Sequence, residues 1–208
     1  MGFSGHLPNA ESYPLRRRDV VRRLLDNRGE LLVVTGLGSP NWDVTAAGDT
    51  PLNFPMWGAM GGAAMVGLGL ALAQPERRVL VITGDGEMLM GLGSLATIAA
   101  QAPKKLVIVV CDNERYGETG MQITHTAHGI KLSGVAAACG FPITRDVRDE
   151  AGLEAVRPLI LHAEDGPLFI TVKVRAEALP FVMPPKDGAY LKDRFRIALL
   201  GEKAAVGS

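Results

Sequence analysis

Two oxygen-bearing side chains stand where apolar runs end. In "VLVITGDGEMLMGLGSLATIAAQAPKKLVIVVCDNERYGETG", residues 79–120, Asp85 lies between Gly84 and Gly86 after one apolar run, and Asn113 closes the next. A carboxylate and an amide oxygen are hard ligands, suited to Mg²⁺ or Ca²⁺ rather than zinc. Glycines on both sides of Asp85 permit a tight turn and close approach of a ligand to backbone N–H groups. A helix opening at Glu87 would aim its positive end at the same place, which favours phosphate. Mg²⁺ seldom has an all-protein shell and usually shares it with phosphate oxygens and water. The pair therefore points to a cation that bridges the protein to a diphosphate. A lone Gly-Asp-Gly marks only a turn. The Asn at the next strand end, with Gly117 in the loop behind it, makes the pattern chemical.

Such a pair needs a scaffold that brings strand ends together. Residues 15–27 read as a helix with Val20, Val21, Leu24 and Leu25 as its stripe, and "ELLVVTG" (30–36) reads as a buried strand. A polar loop with one helical turn follows. A glycine-rich helix is expected over 58–73, a strand over 77–84, a helix over 87–101 and a strand over 104–113. A glycine-bearing loop spans 114–130. Helices over 131–140 and 149–163 precede a last strand over 167–174. Alternating strands and helices with apolar runs imply an α/β fold, a doubly wound, mostly parallel sheet with helices on both faces. In such sheets ligands sit beyond the carboxyl ends of the strands, where Asp85 and Asn113 fall.

The 208 residues suit one domain, with a core over about 15–175 and a C-terminal tail and helix over 176–200. The 22 basic and 22 acidic residues cancel, so nothing suggests a nucleic-acid face, and "RRRDVVRR" (16–23) reads as a solvated helix face. Cys111 and Cys139 sit in apolar surroundings and read as reduced core residues. The N-terminus has no apolar signal core, which makes a cytoplasmic location the expectation. The run over 57–73 is glycine-rich and ends at Gln74-Pro75, as a buried helix does, so no membrane span is expected.

Gly-Asp-Gly with the later "DNERYG" resembles the thiamine diphosphate signature, which normally ends in paired asparagines; Asp112 replaces the first. "NFPMWGAMGGAAMVGLGLALAQPERRVLVITGDGEMLMGLGSLATI" and "ETGMQ" are similar to the sulfopyruvate and phosphonopyruvate decarboxylases, over most of the chain. The resemblance implies the thiamine diphosphate-binding fold, with that cofactor and Mg²⁺. Asp85 and Asn113 would bind Mg²⁺ by side chain and Arg115 by its backbone carbonyl. Met60 would be the apolar wedge that bends the cofactor, and the Gly58 carbonyl would accept from its amino group. Gly84, Gly86, Glu87 and Gly117 would lie along the cofactor, and Thr119 and Gln122 beside cofactor and substrate as tentative catalytic residues. Glu87 departs from the pattern, since a small residue is usual there; a carboxylate beside a diphosphate is awkward unless it turns away. The Arg115 side chain either meets an anionic substrate group or faces water. His125 and His128, in "THTAHG", are candidate acids or bases.

Thiamine chemistry also needs a glutamate at the pyrimidine ring, which the family supplies from a separate pyrimidine-binding domain. This chain reads as one α/β domain without it. The resemblance therefore implies the diphosphate-binding subunit of a two-subunit lyase, a hetero-oligomer of α2β2 or higher with a pyrimidine-binding alpha-type partner. It would decarboxylate a small 2-oxo acid, sulfopyruvate- or phosphonopyruvate-like, to an aldehyde. A carboligase of the acetolactate synthase type and a non-catalytic cofactor-binding subunit are the alternatives. A ferredoxin-linked oxidoreductase is disfavoured, because Cys111 and Cys139 lack Cys-x-x-Cys spacing.

Overall fold

The computed structural model describes residues 9–202. Its strands are β1 (Leu32–Thr35), β2 (Asn53–Pro55), β3 (Val79–Gly84), β4 (Leu106–Asp112), β5 (Arg115–Tyr116), β6 (Gln122–Ile123), β7 (Ile143–Val147) and β8 (Leu168–Lys173). Six of them form one parallel sheet in the order β2-β1-β3-β4-β8-β7, and β5 and β6 pair separately as a small antiparallel hairpin. The helices are α1 (Arg17–Leu24), α2 (Ser39–Ala47), α3 (Ala63–Ala73), α4 (Asp85–Met90), α5 (Ser94–Gln101), α6 (Leu132–Cys139), α7 (Glu150–His162) and α8 (Gly188–Leu200).

The strands are apolar throughout because both faces of the sheet are covered. Val33, Leu80, Ile82, Val107 and Val109 share a core with Val21 and Leu24 of α1 and Leu153 and Ile160 of α7. Their neighbours Leu32, Val34, Val81, Ile108 and Val110 point the other way, to Leu68, Leu95, Ala136 and Phe195. The sheet is doubly wound, as expected. β1 leads outward to β2, and β3 begins the run to β4, β8 and β7 on the other side. The strand order therefore reverses between β1 and β3, and a ligand crevice belongs at that point. β3 and β4 are neighbours, in register from Val79 with Leu106 to Gly84 with Cys111. That register sets the two chemical strand ends side by side.

Several elements differ from their sequence reading. The helix expected over 58–73 begins only at Ala63, and residues 58–62 form a turn with Ala59 at φ 58° and Gly61 at φ 88°. Within α3, a Cβ on Gly67 would come 2.2 Å from Val81 Cγ2, so this glycine lets the helix press onto β3. The helix expected over 87–101 is two helices broken at 91–93, because Gly91 meets the 58–62 turn: a Cβ there would lie 2.2 Å from the Gly61 carbonyl oxygen. The polar loop after β1 holds α2, nine residues long, whose buried Asn41 and Asp43 hide it from a search for an apolar stripe. β7 is an edge strand buried only at Val147, so it shows no apolar run. Cys111 and Cys139 are both free, in line with the reading as reduced residues.

Candidate active site

A cavity of about 330 Å³ opens at the carboxyl ends of β1, β3 and β4. Of the residues selected from sequence, Met60, Gly84, Asp85, Gly86, Glu87, Asn113, Arg115, Gly117 and Thr119 line it. Gly58 and Gln122 do not; Gly58 sits exposed in the turn ahead of α3. Gln122 is tied to Thr119, donating to its carbonyl at 2.8 Å and accepting from its hydroxyl at 2.8 Å.

Asp85 is the first residue of α4 and is almost fully buried. One carboxylate oxygen, Oδ2, accepts from the hydroxyls of Thr124 and, at 3.2 Å, Thr126. Burial, and then the charge of nearby Asp112, push its pKa up to about 7 against the pull of the threonines. A bound cation would act the other way and favour the ionised form. Asn113 caps its own turn, its Oδ1 accepting from the Arg115 N–H at 3.1 Å. The Arg115 guanidinium donates to the Glu114 carbonyl at 3.0 Å and to Glu11 at 3.2 Å. It is thus engaged within the protein rather than left to water. Among the described residues no cluster of three or more His, Cys, Asp or Glu could hold a metal ion. A cation at Asp85 and Asn113 would need further oxygens, from backbone or ligand, as the sequence argument requires.

Glycines shape the turn. A Cβ on Gly84 or Gly58 would project into open space, whereas one on Gly86 would come 2.5 Å from Tyr116 Cε1. The Tyr116 ring therefore lies directly on the Gly86 backbone and closes that side. α4 is only one turn and a half long, a weaker dipole than the helix expected from sequence. The longer α2 compensates: Leu37, Ser39 and Pro40 at its start line the same cavity, so a second helix N-terminus faces it. These open glycines, amide ends and hard oxygens fit a diphosphate with its cation.

Glu87 is buried, and its carboxylate is engaged by the protein itself: Oε1 accepts from the Ala63 N–H at 3.2 Å and Oε2 from the Thr83 hydroxyl. Burial raises its pKa. Met60, 40% exposed, stands at the cavity edge on the turn before α3. His125 and His128 flank a short 3₁₀ turn and are both exposed, while Thr126 between them reaches inward to Asp85.

Some residues at the site escaped the sequence reading. Behind Asp85 lies a buried charge cluster: Lys173 Nζ is 2.7 Å from both Asp112 and Glu114, and the Tyr13 hydroxyl donates to Glu114 at 2.7 Å. Asp112 in turn accepts from Thr126 at 2.8 Å, which joins this cluster to Asp85. Below the cavity Arg17 is buried and donates to Asp43 at 2.6 Å, with Arg18 on the other carboxylate oxygen at 3.0 Å. The basic run over 16–23 is therefore only partly a solvated face. At the rim, Trp42 packs on Trp57 and Phe181 with ring centroids 5.5 and 5.4 Å apart, and its Nε1 donates to Glu118 at 3.2 Å. The pattern Thr-x-Thr at 124–126 is the signal that marks the partners of Asp85 and Asp112.

Residues 44–172 match the family described as thiamine pyrophosphate enzyme, C-terminal TPP binding domain. The chain belongs to this family. Among curated members it is 42% identical over 181 residues to the sulfopyruvate decarboxylase subunit beta of Methanothermobacter thermautotrophicus, covering 87% of this chain and 94% of that one. It is 38% identical over 186 residues to the phosphonopyruvate decarboxylase of Streptomyces viridochromogenes, covering 88% of this chain but 46% of that one. Among solved structures, a putative thiamin diphosphate-dependent enzyme from Mycobacterium smegmatis superposes with a TM-score of 0.66 at 26% identity, over 79% of this chain and 32% of that one. The decarboxylase resemblance read from the motifs is thus shown by whole-chain similarity to family members. Among the described residues no helix is long and apolar enough to cross a membrane.

Proposed function

We propose that this thiamine pyrophosphate-family chain is the diphosphate-binding subunit of a two-subunit, Mg²⁺-dependent decarboxylase. Its substrate would be a small 2-oxo acid of the sulfopyruvate or phosphonopyruvate kind, released as an aldehyde. The observation that carries the reading is the pairing of Asp85 and Asn113 at adjacent strand ends, on one cavity, in a chain 42% identical to a sulfopyruvate decarboxylase subunit beta.

In this reading the Asp85 and Asn113 side chains and the Arg115 carbonyl hold Mg²⁺, and Thr124 and Thr126 aim the Asp85 carboxylate. The Gly84–Gly86 turn and the start of α2 receive the diphosphate. Met60, at the cavity edge, would pack against the cofactor as its apolar wedge, and the Gly58 carbonyl, on the exposed turn outside the cavity lining, would be the acceptor for its amino group. When bound, the cofactor supplies the electron sink for loss of CO₂. The β5–β6 hairpin, seated through Tyr116 on Gly86, shields the site from water and presents Thr119, which Gln122 orients.

The partner would supply the carboxylate that activates the pyrimidine ring. Two facts support a partner: the relative spanned almost end to end is named a subunit beta, and this chain matches less than half the length of the Streptomyces viridochromogenes phosphonopyruvate decarboxylase. An α2β2 or larger assembly in the cytoplasm is the expected form. A carboligase reading draws support from the acetolactate synthase isozyme 1 large subunit of Escherichia coli, 31% identical over 155 residues.

The test is to purify the chain alone and with the product of the neighbouring open reading frame, add thiamine diphosphate and Mg²⁺, and measure CO₂ release from a panel of 2-oxo acids. Turnover is expected only in the mixture, with an aldehyde product. Robust turnover by the chain alone would overturn the two-subunit reading, and an acetohydroxy acid product would replace decarboxylase with ligase.

A further inference from the structure

We propose that Glu87 is a positioning residue that locks the Met60-bearing turn to the turn that carries Asp85. What the lock serves rests on the thiamine diphosphate reading; the lock itself rests on geometry alone. The Glu87 carboxylate sits in a pocket made by three segments. The Ala63 N–H donates to Oε1 at 3.2 Å from the start of α3, and the Thr83 hydroxyl donates to Oε2 from the end of β3. Gly36, at the end of β1, completes the pocket: a Cβ there would lie 1.5 Å from Oε2 and 2.6 Å from Cδ. Only glycine at 36 leaves room for this carboxylate.

The requirement it meets is local. α3 has no side-chain cap of its own, so its leading amide is capped from another element, by an anion that also suits the helix dipole. The turn before it holds Ala59 at φ 58° and Gly61 at φ 88°. A non-glycine residue in that region persists only where its surroundings over-determine it. A capping side chain at position 62 could not serve instead, because a Cβ there would come 2.8 Å from the Ala59 carbonyl oxygen. Glu87 belongs to α4, the same short helix that begins with Asp85. One rigid turn and a half therefore fixes both the proposed metal ligand and, through Ala63, the distance to Met60. The Gly61–Gly91 backbone approach is a second tie between the same two segments.

The test is hydrogen–deuterium exchange on the full chain, read over peptides spanning 57–66, with β4 peptides as the internal control. Glu87→Ser should raise exchange there by about 10-fold or more while β4 stays protected, the signature of local opening. Glu87→Gln keeps the Oε1 acceptor and should restore most of the protection. Gly36→Ala should reproduce the Glu87→Ser pattern by expelling the carboxylate, yet add nothing in the Glu87→Ser background. In the complex with the partner chain, Glu87→Ser should lower kcat by about 10-fold or more through misplacement of Met60. Thiamine diphosphate affinity should change far less, because Asp85 and Asn113 remain. Unchanged exchange in Glu87→Ser, or Gly36→Ala and Glu87→Ser effects that simply add, would overturn the proposal. If Glu87→Ser does not fold, the contrast between Gly36→Ala and Glu87→Gln decides it, equal protection in the two being the overturning result. Expected exchange patterns in a chain that binds no thiamine diphosphate with its partner would leave the lock standing and defeat the functional reading instead.

Discussion

Replacing Lys173 with methionine should be among the most damaging single changes outside the apolar core. Its ammonium is 2.7 Å from Asp112 and 2.7 Å from Glu114, with side chains 2% and 1% exposed against 11% for the lysine. The second oxygen of Glu114, Oε2, has no hydrogen-bond partner among the described residues, so apart from the Tyr13 hydroxyl on Oε1 little else offsets that charge. Removing one member of a buried pair typically costs about 3–5 kcal/mol, because the abandoned charge stays buried. Here one cation serves two carboxylates, which places the estimate toward the upper end. For a domain of this size about 4 kcal/mol corresponds to a fall in Tm of roughly 8–16 °C, a large share of the roughly 5–15 kcal/mol a domain possesses. The informative measurement is a double-mutant cycle by urea denaturation. Asp112→Asn keeps an oxygen for Thr126 and the Glu114 N–H while removing one stranded charge. Lys173→Met with Asp112→Asn should therefore recover about 1 kcal/mol or more over the sum of the singles. A Lys173→Met cost below about 1 kcal/mol, or strict additivity, would refute the argument that this cluster is held by charge balance.

Other expectations follow from the same geometry. Asp85→Ala should abolish Mg²⁺-dependent thiamine diphosphate binding by the reconstituted complex while the fold persists, as read by isothermal titration and circular dichroism; unchanged affinity would remove Asp85 from the metal site. Met60→Ala should fold normally and lower turnover by up to about 10²-fold, the size of effect that lost near-attack geometry produces; wild-type kcat would make Met60 mere packing. The pH profile of the metal-free chain has a definite sign. Below the ordinary aspartate value of 3.8 the Asp85 carboxyl is protonated in both states; from there to about 7 the unfolded chain ionises first, so the fold loses stability as pH rises, and above about 7 the loss is complete. Asp85→Asn should remove that part of the slope and saturating Mg²⁺ with cofactor should flatten it, in urea melts from pH 5 to 8; a wild-type slope identical to that of Asp85→Asn would contradict the assigned cause.

The sheet was legible because buried parallel strands announce themselves: residues 79–82 and 106–111 are unbroken apolar runs, and glycine and asparagine mark where they stop. The proposed metal pair was legible for the same reason, since its two members sit at those ends. What failed to show was structure held by polar groups. α2 buries Asn41 and Asp43, so no apolar stripe betrays it. Arg17 lies in a basic run that looks solvated, and its burial depends on Asp43, distant in sequence. Thr124 and Thr126 reach Asp85 from a loop whose path no local pattern fixes. Glu87 stood out in the sequence only as an electrostatic misfit; its partners at Ala63 and Thr83 become visible once α4 is placed against α3.

The aromatic contacts at the rim give the molecule a built-in reporter. Its two tryptophans are Trp42 and Trp57, and they stand edge to face beside the cavity mouth. Trp42 is bound to Glu118 of the hairpin segment that covers the site, and Trp57 donates to the Pro185 carbonyl in the tail. Tryptophan emission from this chain, excited selectively over tyrosine, therefore comes from the neighbourhood of the cavity, with no other indole to contribute background. Entry of a ligand that shifts the hairpin or the tail alters the surroundings of both indoles together, so occupancy should be readable in the unmodified protein, without label or substrate turnover.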